Sequence, residues 1–400
     1  MAESRVKVGV RIRPLLSKEK GQNVTFNTYD NKSVSFKGQT YTYDHVFGME
    51  LSQYELYTQT AAPMLKSFME GYNCTIMAYG QTGSGKTFSM GTADVSHQDP
   101  ENQGLISRFV TDLFVNLNNA KDEGELLSYQ VKASFLEIYG EDVFDLLPSE
   151  HSNRNGGSRV ALNVREDEGG KIFVQGQNEF SVGNAVSTLE LLNSGARHRI
   201  TASTAMNSES SRSHSVFTLQ LEQRVRSAGG EAPQSGAAVD DEVQVLCAKL
   251  TFVDLAGSER IKRTGAEGQR MKEGIQINSG LFNLGQVINS LADEQKLKSG
   301  AAKANHVPYR NSKLTHLLKD ALGGNSQTLF LACVSPAESN ESETQSTLQY
   351  AKQARNIQNK PVQNVDKVQR ELQRLRLAVK MWTMKAVTSI FGNSISAPST

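Results

Sequence analysis

The sequence predicts an α/β fold, a central and mostly parallel β-sheet flanked by helices on both faces, built around a phosphate-binding loop. Three observations predict it. Gly80-Gln81-Thr82-Gly83-Ser84-Gly85-Lys86-Thr87 fits G-x-x-x-x-G-K-[ST], a pattern whose glycines turn backbone N–H groups inward to cradle phosphate oxygens. The run before it, Cys74-Thr75-Ile76-Met77-Ala78-Tyr79, is short, apolar and β-prone, and a helix starting at Lys86 would set the phosphates at its positive end. Strand-like and helix-like stretches alternate on both sides of this unit. With 400 residues, 38% of them apolar, and no internal repeat, residues 1–355 read as one large domain.

The elements follow in order. Val6 to Pro14 alternates and stops at proline, which suits a strand feeding a loop. Val24 to Phe47 is β-rich but broken at Asp30-Asn31 and Lys37-Gly38, so small hairpins are expected. Ser52 to Glu70 has helical spacing and ends at Gly71; after the phosphate loop, polar Thr92 to Gln103 precedes a helix over Leu105–Leu117. Val131–Tyr139, Val216–Val225, Leu246–Leu255 and Thr328–Val334 read as strands. Ala185–Arg199, much of Gly268–Leu322, and Thr344–Ile357 read as helices. Polar or Gly-rich runs at 151–158 and 227–241 are surface loops.

Three stretches carry chemistry. In the phosphate loop, Lys86 supplies a point charge for β/γ-phosphates and the Thr87 hydroxyl can ligate Mg²⁺. Leu250 to Gly257 is an apolar strand ending in Asp254, placed to hold Mg²⁺, then Gly257, whose N–H can sense a γ-phosphate. Asn207-Ser208-Glu209-Ser210-Ser211-Arg212-Ser213-His214 crowds hydroxyls around one arginine; alone, it reads equally as a serine-rich turn.

Bulk properties exclude other classes. The net charge of +1 creates no global field for nucleic acid or membrane, and no apolar run approaches the ~20 residues of a membrane span. Cys74, Cys247 and Cys333 form no C-x-x-C pair, which excludes a thiolate zinc site and suggests reduced core cysteines in a cytosolic protein. Charge is uneven: Arg260 to Lys319 holds 11 Lys and Arg against 4 Asp and Glu, a balance of +7 that leaves −6 for the rest. That stretch is either a solvated face or a surface for a polyanionic partner.

The combination GQTGSGKT (80–87), NSESSRSH (207–214) and DLAGSER (254–260), with Arg11-Ile12-Arg13-Pro14, Asn278, His306-Val307-Pro308-Tyr309-Arg310 and Ser312-Lys313-Leu314-Thr315, resembles the kinesin motor domain over residues 5–366. The resemblance implies the P-loop NTPase fold and an ATPase using ATP and Mg²⁺ on microtubules. Arg11, Pro14 and Phe88 would line the nucleotide's base side and Arg13 of the same segment would also bind nucleotide, with Gln81, Thr82, Gly83, Ser84, Gly85, Lys86 and Thr87 around its phosphates. Thr87, Ser211 and Asp254 would hold the metal. Asn207, Ser210, Ser211 and Gly257 would surround the γ-phosphate and lytic water. Arg212 would pair with Glu259, which would accept the proton through a second water oriented by Asn278.

The same resemblance places Lys262, Arg263, Arg270, Lys272, Lys296, Lys298, Lys303, Arg310 and Lys313 against the microtubule, with Arg165 and Lys171 as minor contacts. Residues 356–366 resemble a neck linker, with Ile357 as apolar plug and Asn364 as latch; a linker after the motor implies plus-end-directed stepping. The strand that normally covers the linker is nearly absent ahead of Ser4. Val368, Leu372, Leu375, Val379 and Trp382 are spaced as a coiled-coil seam over 367–388, which would give a homodimer or dock on the motor, before a disordered tail at 389–400. Gly71-Tyr72-Asn73, Arg263-Thr264-Gly265-Ala266 and Asn359-Lys360-Pro361 look closest to the kinesin-4 group. The pattern departs from the family at Asn311, His316 and Ser107. The expected function is a cytoplasmic, cytoskeletal motor. The rivals are a plus-end regulator that suppresses microtubule growth with little motility, and a scaffold that binds microtubules without nucleotide.

Overall fold

A computed structural model describes residues 4–28, 30–93, 99–147, 159–205, 210–226, 243–260, 269–297 and 306–366, with 375, 379 and 381–383. The expected loops at 151–158 and 227–241, and the tail at 389–400, lie outside the described residues.

Nine strands form the central sheet: β1 (Lys7–Ile12), β2 (His45–Phe47), β3 (Cys74–Tyr79), β4 (Leu126–Tyr139), β5 (Asp142–Asp145), β6 (Phe180–Val182), β7 (His214–Arg226), β8 (Val243–Asp254) and β9 (Gln327–Val334). Their order is β6-β4-β7-β8-β3-β9-β1-β2, with β5 added to β4. The parallel pairing expected from strand–helix alternation holds for the half that carries the phosphate loop, β8-β3-β9-β1-β2. The other half is antiparallel, so the sheet as a whole is mixed. Its long β7–β8 hairpin pairs Ser215 with Asp254 and Arg226 with Val243, and a hairpin return reverses direction where a helical crossover would not.

Helices α1 (Gln53–Thr60), α2 (Ala62–Met69), α4 (Leu105–Asp122) and α5 (Ala185–Ala205) cover one face; α6 (Gln269–Leu297), α7 (Lys313–Leu317) and α8 (Glu341–Ala354) cover the other. The short α3 (Lys86–Met90) follows β3. Two apolar cores result, and neighbouring residues on β3 divide between them. Met77 packs with Leu284, Ile288 and Leu348, whereas Ile76 packs with Phe109, Val110 and Phe252. A strand buried on both sides must be apolar throughout, which is why Cys74–Tyr79 has no alternation to read. The hairpin expected at Lys37-Gly38 forms, with Phe36 opposite Gln39 and φ of 50° and 73° at the turn.

The segment after α8 lies along the core. Ile357 is fully buried, and Cys247 N donates to Asn364 O (3.0 Å) and Asp366 N to Val245 O (2.9 Å), so the segment pairs where β8 outruns β3. The covering strand that looks nearly absent in the sequence does form, as two residues: Ser4 opposite Asn359 and Arg5 opposite Gln358. At the far end, Leu375, Val379 and Trp382 stand exposed on helical backbone.

Candidate functional site

The phosphate loop leaves β3 at Gly80, whose φ of 148° and position against β9 exclude a side chain: a Cβ there would overlap the carbonyl of Cys333. Lys86 at the start of α3 is buried and donates from Nζ to the carbonyls of Gly80 (2.8 Å) and Gln81 (2.9 Å). Burial lowers its pKa, partly offset by the Asp254 and Glu259 charges. Ser84 Oγ and Gln81 Oε1 are buried with no hydrogen-bond partner among the described residues.

Asp254, at the end of β8, sits beside α3. Its Oδ2 accepts from Thr87 Oγ1 and from Thr92 Oγ1, both at 2.8 Å, and Arg199 Nη1 lies 3.7 Å away. Its Oδ1 is buried and unpartnered. Arg199, at the end of the described side chains of α5, also donates to Ser213 Oγ (3.2 Å) and Ser213 O (2.8 Å). Next to Ser213, His214 Nδ1 accepts from Ala256 N (2.9 Å). Burial, with the charges of Arg199 and Lys86, holds the His214 imidazole down at about 3.

The loop after Asp254 ties the other motifs to the phosphate loop. Gly257 N donates to Ser211 O (2.8 Å), and Ser258 N to Gly80 O (3.2 Å). Both oxygens of Glu259 engage Thr82, accepting from its backbone N (2.8 Å) and its hydroxyl (2.5 Å). The pairing of Glu259 with Arg212 implied by the resemblance is therefore not the arrangement seen. Asn278 on α6 donates from Nδ2 to the Glu259 carbonyl (3.2 Å).

The base-side residues and Arg13 divide. Arg11 donates to Gln53 Oε1 (2.6 Å) and Ser89 Oγ (2.7 Å), and its guanidinium lies 5.3 Å from the half-exposed Phe88 ring centre. Together with exposed Pro14, this makes an apolar and cationic platform. Arg13 instead is a buried strut. It grips Glu19 with two nitrogens at 2.6 Å each and donates from Nε to Gly83 O (2.7 Å), bracing the phosphate loop from behind. Asn340 extends the brace, donating to Glu19 and accepting from Gln81.

Of the nominated basic residues, Lys262, Arg263, Lys298 and Lys303 lie outside the described residues, as does Asn207. Arg270, Lys272 and Lys296 fall on α6, and Ser210 on a single 3₁₀ turn with Ser211 and Arg212. Arg310 is 75% exposed and bonded to Glu166 (2.6 Å), which also holds Lys319 (2.6 Å). These two cations, Lys319 first, keep the Glu166 carboxyl at about 2. Lys313 N caps onto Glu141 Oε2 (2.9 Å). Glu166, with Arg165, belongs to the ribbon Asn163–Glu166 and Ile172–Gln175.

Sequence reasoning singled out neither Thr92, Arg199, His214 and Glu19 nor the latch-like Asn359. Asn359 is buried, with Nδ2 near Ala321 O (3.0 Å), Ser326 O (2.7 Å) and Thr328 Oγ1 (3.0 Å), and Oδ1 accepting from Gly323 N (2.7 Å). Asn364 bonds Gly71 O, Asn73 and Asn325. His214 closes the 207–214 motif without a role of its own there, and Asn359 precedes Lys360-Pro361; the other three stand in no motif. A cavity of about 740 Å³ opens elsewhere, under the ribbon, and no phosphate-loop residue lines it. Chemistry, not cavity size, locates the site.

Comparison with known proteins agrees with this geometry. The family described as "Kinesin motor domain" matches residues 11–357. The Arabidopsis thaliana kinesin-like protein KIN-4A is 44% identical over 94% of this chain, and the human chromosome-associated kinesin KIF4A is 44% identical over 94%. The chain spans 37% and 28% of their lengths, so it corresponds to about a third of such relatives. Among solved structures, a fast kinesin superposes with a TM-score of 0.77 at 33% identity, covering 91% of this chain and 94% of that one. A KIF14 dimer bound with AMP-PNP to a microtubule gives 0.79 at 37%, covering 93% and 100%. Matched along nearly all of its described fold and around its phosphate loop, the chain belongs to the kinesin motor domain family and is similar to kinesin-4 members.

Proposed function

We propose that this chain is a microtubule-stimulated ATPase motor that couples Mg·ATP hydrolysis to plus-end-directed movement in the cytoplasm. Residues 1–355 would be the motor, 356–366 its linker, and 367–388 the start of a dimerising coiled coil. The observation that carries the reading is one chain of contacts. Thr82 in the phosphate loop holds the Glu259 carboxylate, and the Glu259 carbonyl accepts from Asn278 on α6. A change at the γ-phosphate position thereby reaches a 29-residue helix bordered by the basic stretch.

Among the described residues no group of three or more His, Cys, Asp or Glu gathers, so these residues make no complete metal cage. That suits Mg²⁺, which keeps waters and takes one or two protein ligands plus phosphates. The fit is specific. The Thr87 hydroxyl donates its hydrogen bond to Asp254 and keeps its lone pairs free for a metal, and Asp254 Oδ1 is a buried oxygen without a hydrogen-bond partner among the described residues. When bound, Mg²⁺ neutralises charge on the phosphate oxygens. Lys86 adds a buried positive charge, and Phe88 with Arg11 holds the base. Ser210, Ser211 and Gly257 line the γ-phosphate, with Arg212 supplying a cation on the same turn as the two serines. Glu259 takes the proton of the lytic water through a relay water, once released from Thr82.

Partner binding falls to the basic residues beside α6 and α7, where Arg310 and Lys313 meet the acidic microtubule surface. The test is ATP turnover of the purified chain alone, with free tubulin and with microtubules, alongside filmed gliding and plus-end growth. Microtubule-stimulated turnover with gliding is expected. Growth suppression without gliding would move the conclusion to control of microtubule ends, and turnover indifferent to microtubules would overturn it.

A further inference from the structure

Asp254 carries its partners on one oxygen. Thr87, Thr92 and Arg199 all approach Oδ2, while Oδ1 is buried and has none. Thr87 belongs to the phosphate-loop pattern, but Thr92 belongs to no motif. It is 3% exposed, and its hydroxyl lies 2.8 Å from Oδ2. The turn that presents it is fixed. Gly91, with φ of 77°, closes α3, and a Cβ on Gly104 would overlap the Gly91 backbone, so the two chain segments touch main chain to main chain. Thr92 therefore cannot drift far from Asp254.

We propose that Thr92 is a positioning residue for the divalent cation that accompanies the nucleotide, an inference that rests on the Mg·ATP reading above. An aspartate carboxylate is a nearly two-fold rotor, and only unequal hydrogen bonding tells its oxygens apart. Two hydroxyl donors on Oδ2 break that symmetry and leave Oδ1 as the oxygen presented to the cation or its water. Without Thr92, the Thr87 hydroxyl alone must hold the carboxylate while also serving the metal. The carboxylate is then free to rotate toward Arg199, whose guanidinium competes with a cation for it. Groups that orient a metal ligand typically account for 10–100-fold in metal affinity; with Thr87 and Arg199 retained, about ten-fold is expected here.

The experiment follows release of a fluorescent ADP analogue from the full chain over a series of free Mg²⁺ concentrations, for wild type and for Thr92→Val, Thr92→Ala and Thr92→Ser, with thermal melts to confirm folding. Removing the hydroxyl is expected to raise the Mg²⁺ concentration that half-protects the nucleotide by about ten-fold, and serine, which keeps the hydroxyl, to restore it. The alanine variant decides the matter if valine does not fold. A midpoint unchanged in the valine and alanine variants, or shifted as far in the serine variant, overturns the inference. Release that is faster at every Mg²⁺ concentration without a midpoint shift also overturns it, since that is a structural effect. A wild type whose release ignores Mg²⁺ overturns the metal reading itself.

Discussion

Replacing Asn359 by alanine should detach the segment after α8 from the core. Its side chain is 1% exposed and serves the Ser326 carbonyl, the Gly323 N–H and the Ala321 carbonyl at once. Ala321 O keeps the Thr328 hydroxyl (2.8 Å), so Asn359→Ala leaves two groups, the half-buried Gly323 N–H and the buried Ser326 O, without partners. Each unsatisfied group costs about 1–3 kcal/mol, and because the Gly323 N–H is only half-buried the total lies in the lower part of the summed range, near 2–4 kcal/mol. Undocking gives both groups to water, so the cost falls only on the docked state. At 1.4 kcal/mol per decade, docking weakens roughly 30- to 700-fold. Hydrogen exchange reads this directly. The amides of Lys360, Val362, Asn364 and Asp366 donate to Gly324 O, Asn325 Oδ1, Gly71 O and Val245 O, at 2.7–2.9 Å. Their protection should collapse while that of β3 and β9 holds. Unchanged protection at those four amides would refute the reasoning, whatever happened to ATP turnover.

Glu19→Gln removes the charge that pairs with buried Arg13, and breaking such a pair costs about 3 kcal/mol; a denaturant midpoint should fall, and nucleotide affinity with it, because Arg13 also braces Gly83. Acid sensitivity should come in two overlapping windows. His214, ordinarily near 6.5, is held at about 3 when folded, so the unfolded chain binds the extra proton between those values, and stability present above pH 6.5 is lost as pH falls toward 3. At pH 5 that loss is about 2 kcal/mol, and His214→Asn should flatten the melting profile there. Glu19, held at about 2 by Arg13, contributes stability that is present above 4.5 and lost toward pH 2, so that lower window should survive in His214→Asn and shrink in Glu19→Gln to the share of Glu166. Neutralising Lys272, Arg310 and Lys313 together should weaken microtubule co-sedimentation while basal nucleotide binding persists; losing Arg310 also leaves Glu166 to Lys319, with His316 3.6 Å away. Co-sedimentation unchanged across a salt series would remove these residues from the partner surface.

Much of the fold could be read from local chemistry. β3 and the loop after it announce themselves because a doubly buried strand must be apolar and because phosphate cradles need glycine at set positions. Gly80 is a case where the sequence requirement and the contact with Cys333 are one fact. The kinesin resemblance points to Ile357 as an apolar plug, and the residue is fully buried, although periodicity alone counts it as the end of the last helix. Pairing direction was not legible: β4, β7 and β8 look like any strands until the hairpin connecting β7 to β8 sets them antiparallel.

By itself, the sequence determined a phosphate loop, its Thr87 and Asp254, and membership in a motor family, because each depends on residue type at fixed local spacing. Tertiary structure alone decided who meets whom across long separations. Arg13 turned out to brace the loop at Gly83, 70 residues on, and Glu259 to rest on Thr82, 177 residues away in sequence. Thr92 came to share Asp254 with Thr87, 162 residues before the carboxylate it touches. A hydroxyl or a guanidinium carries no mark of its partner until folding removes the water that would otherwise serve it equally well.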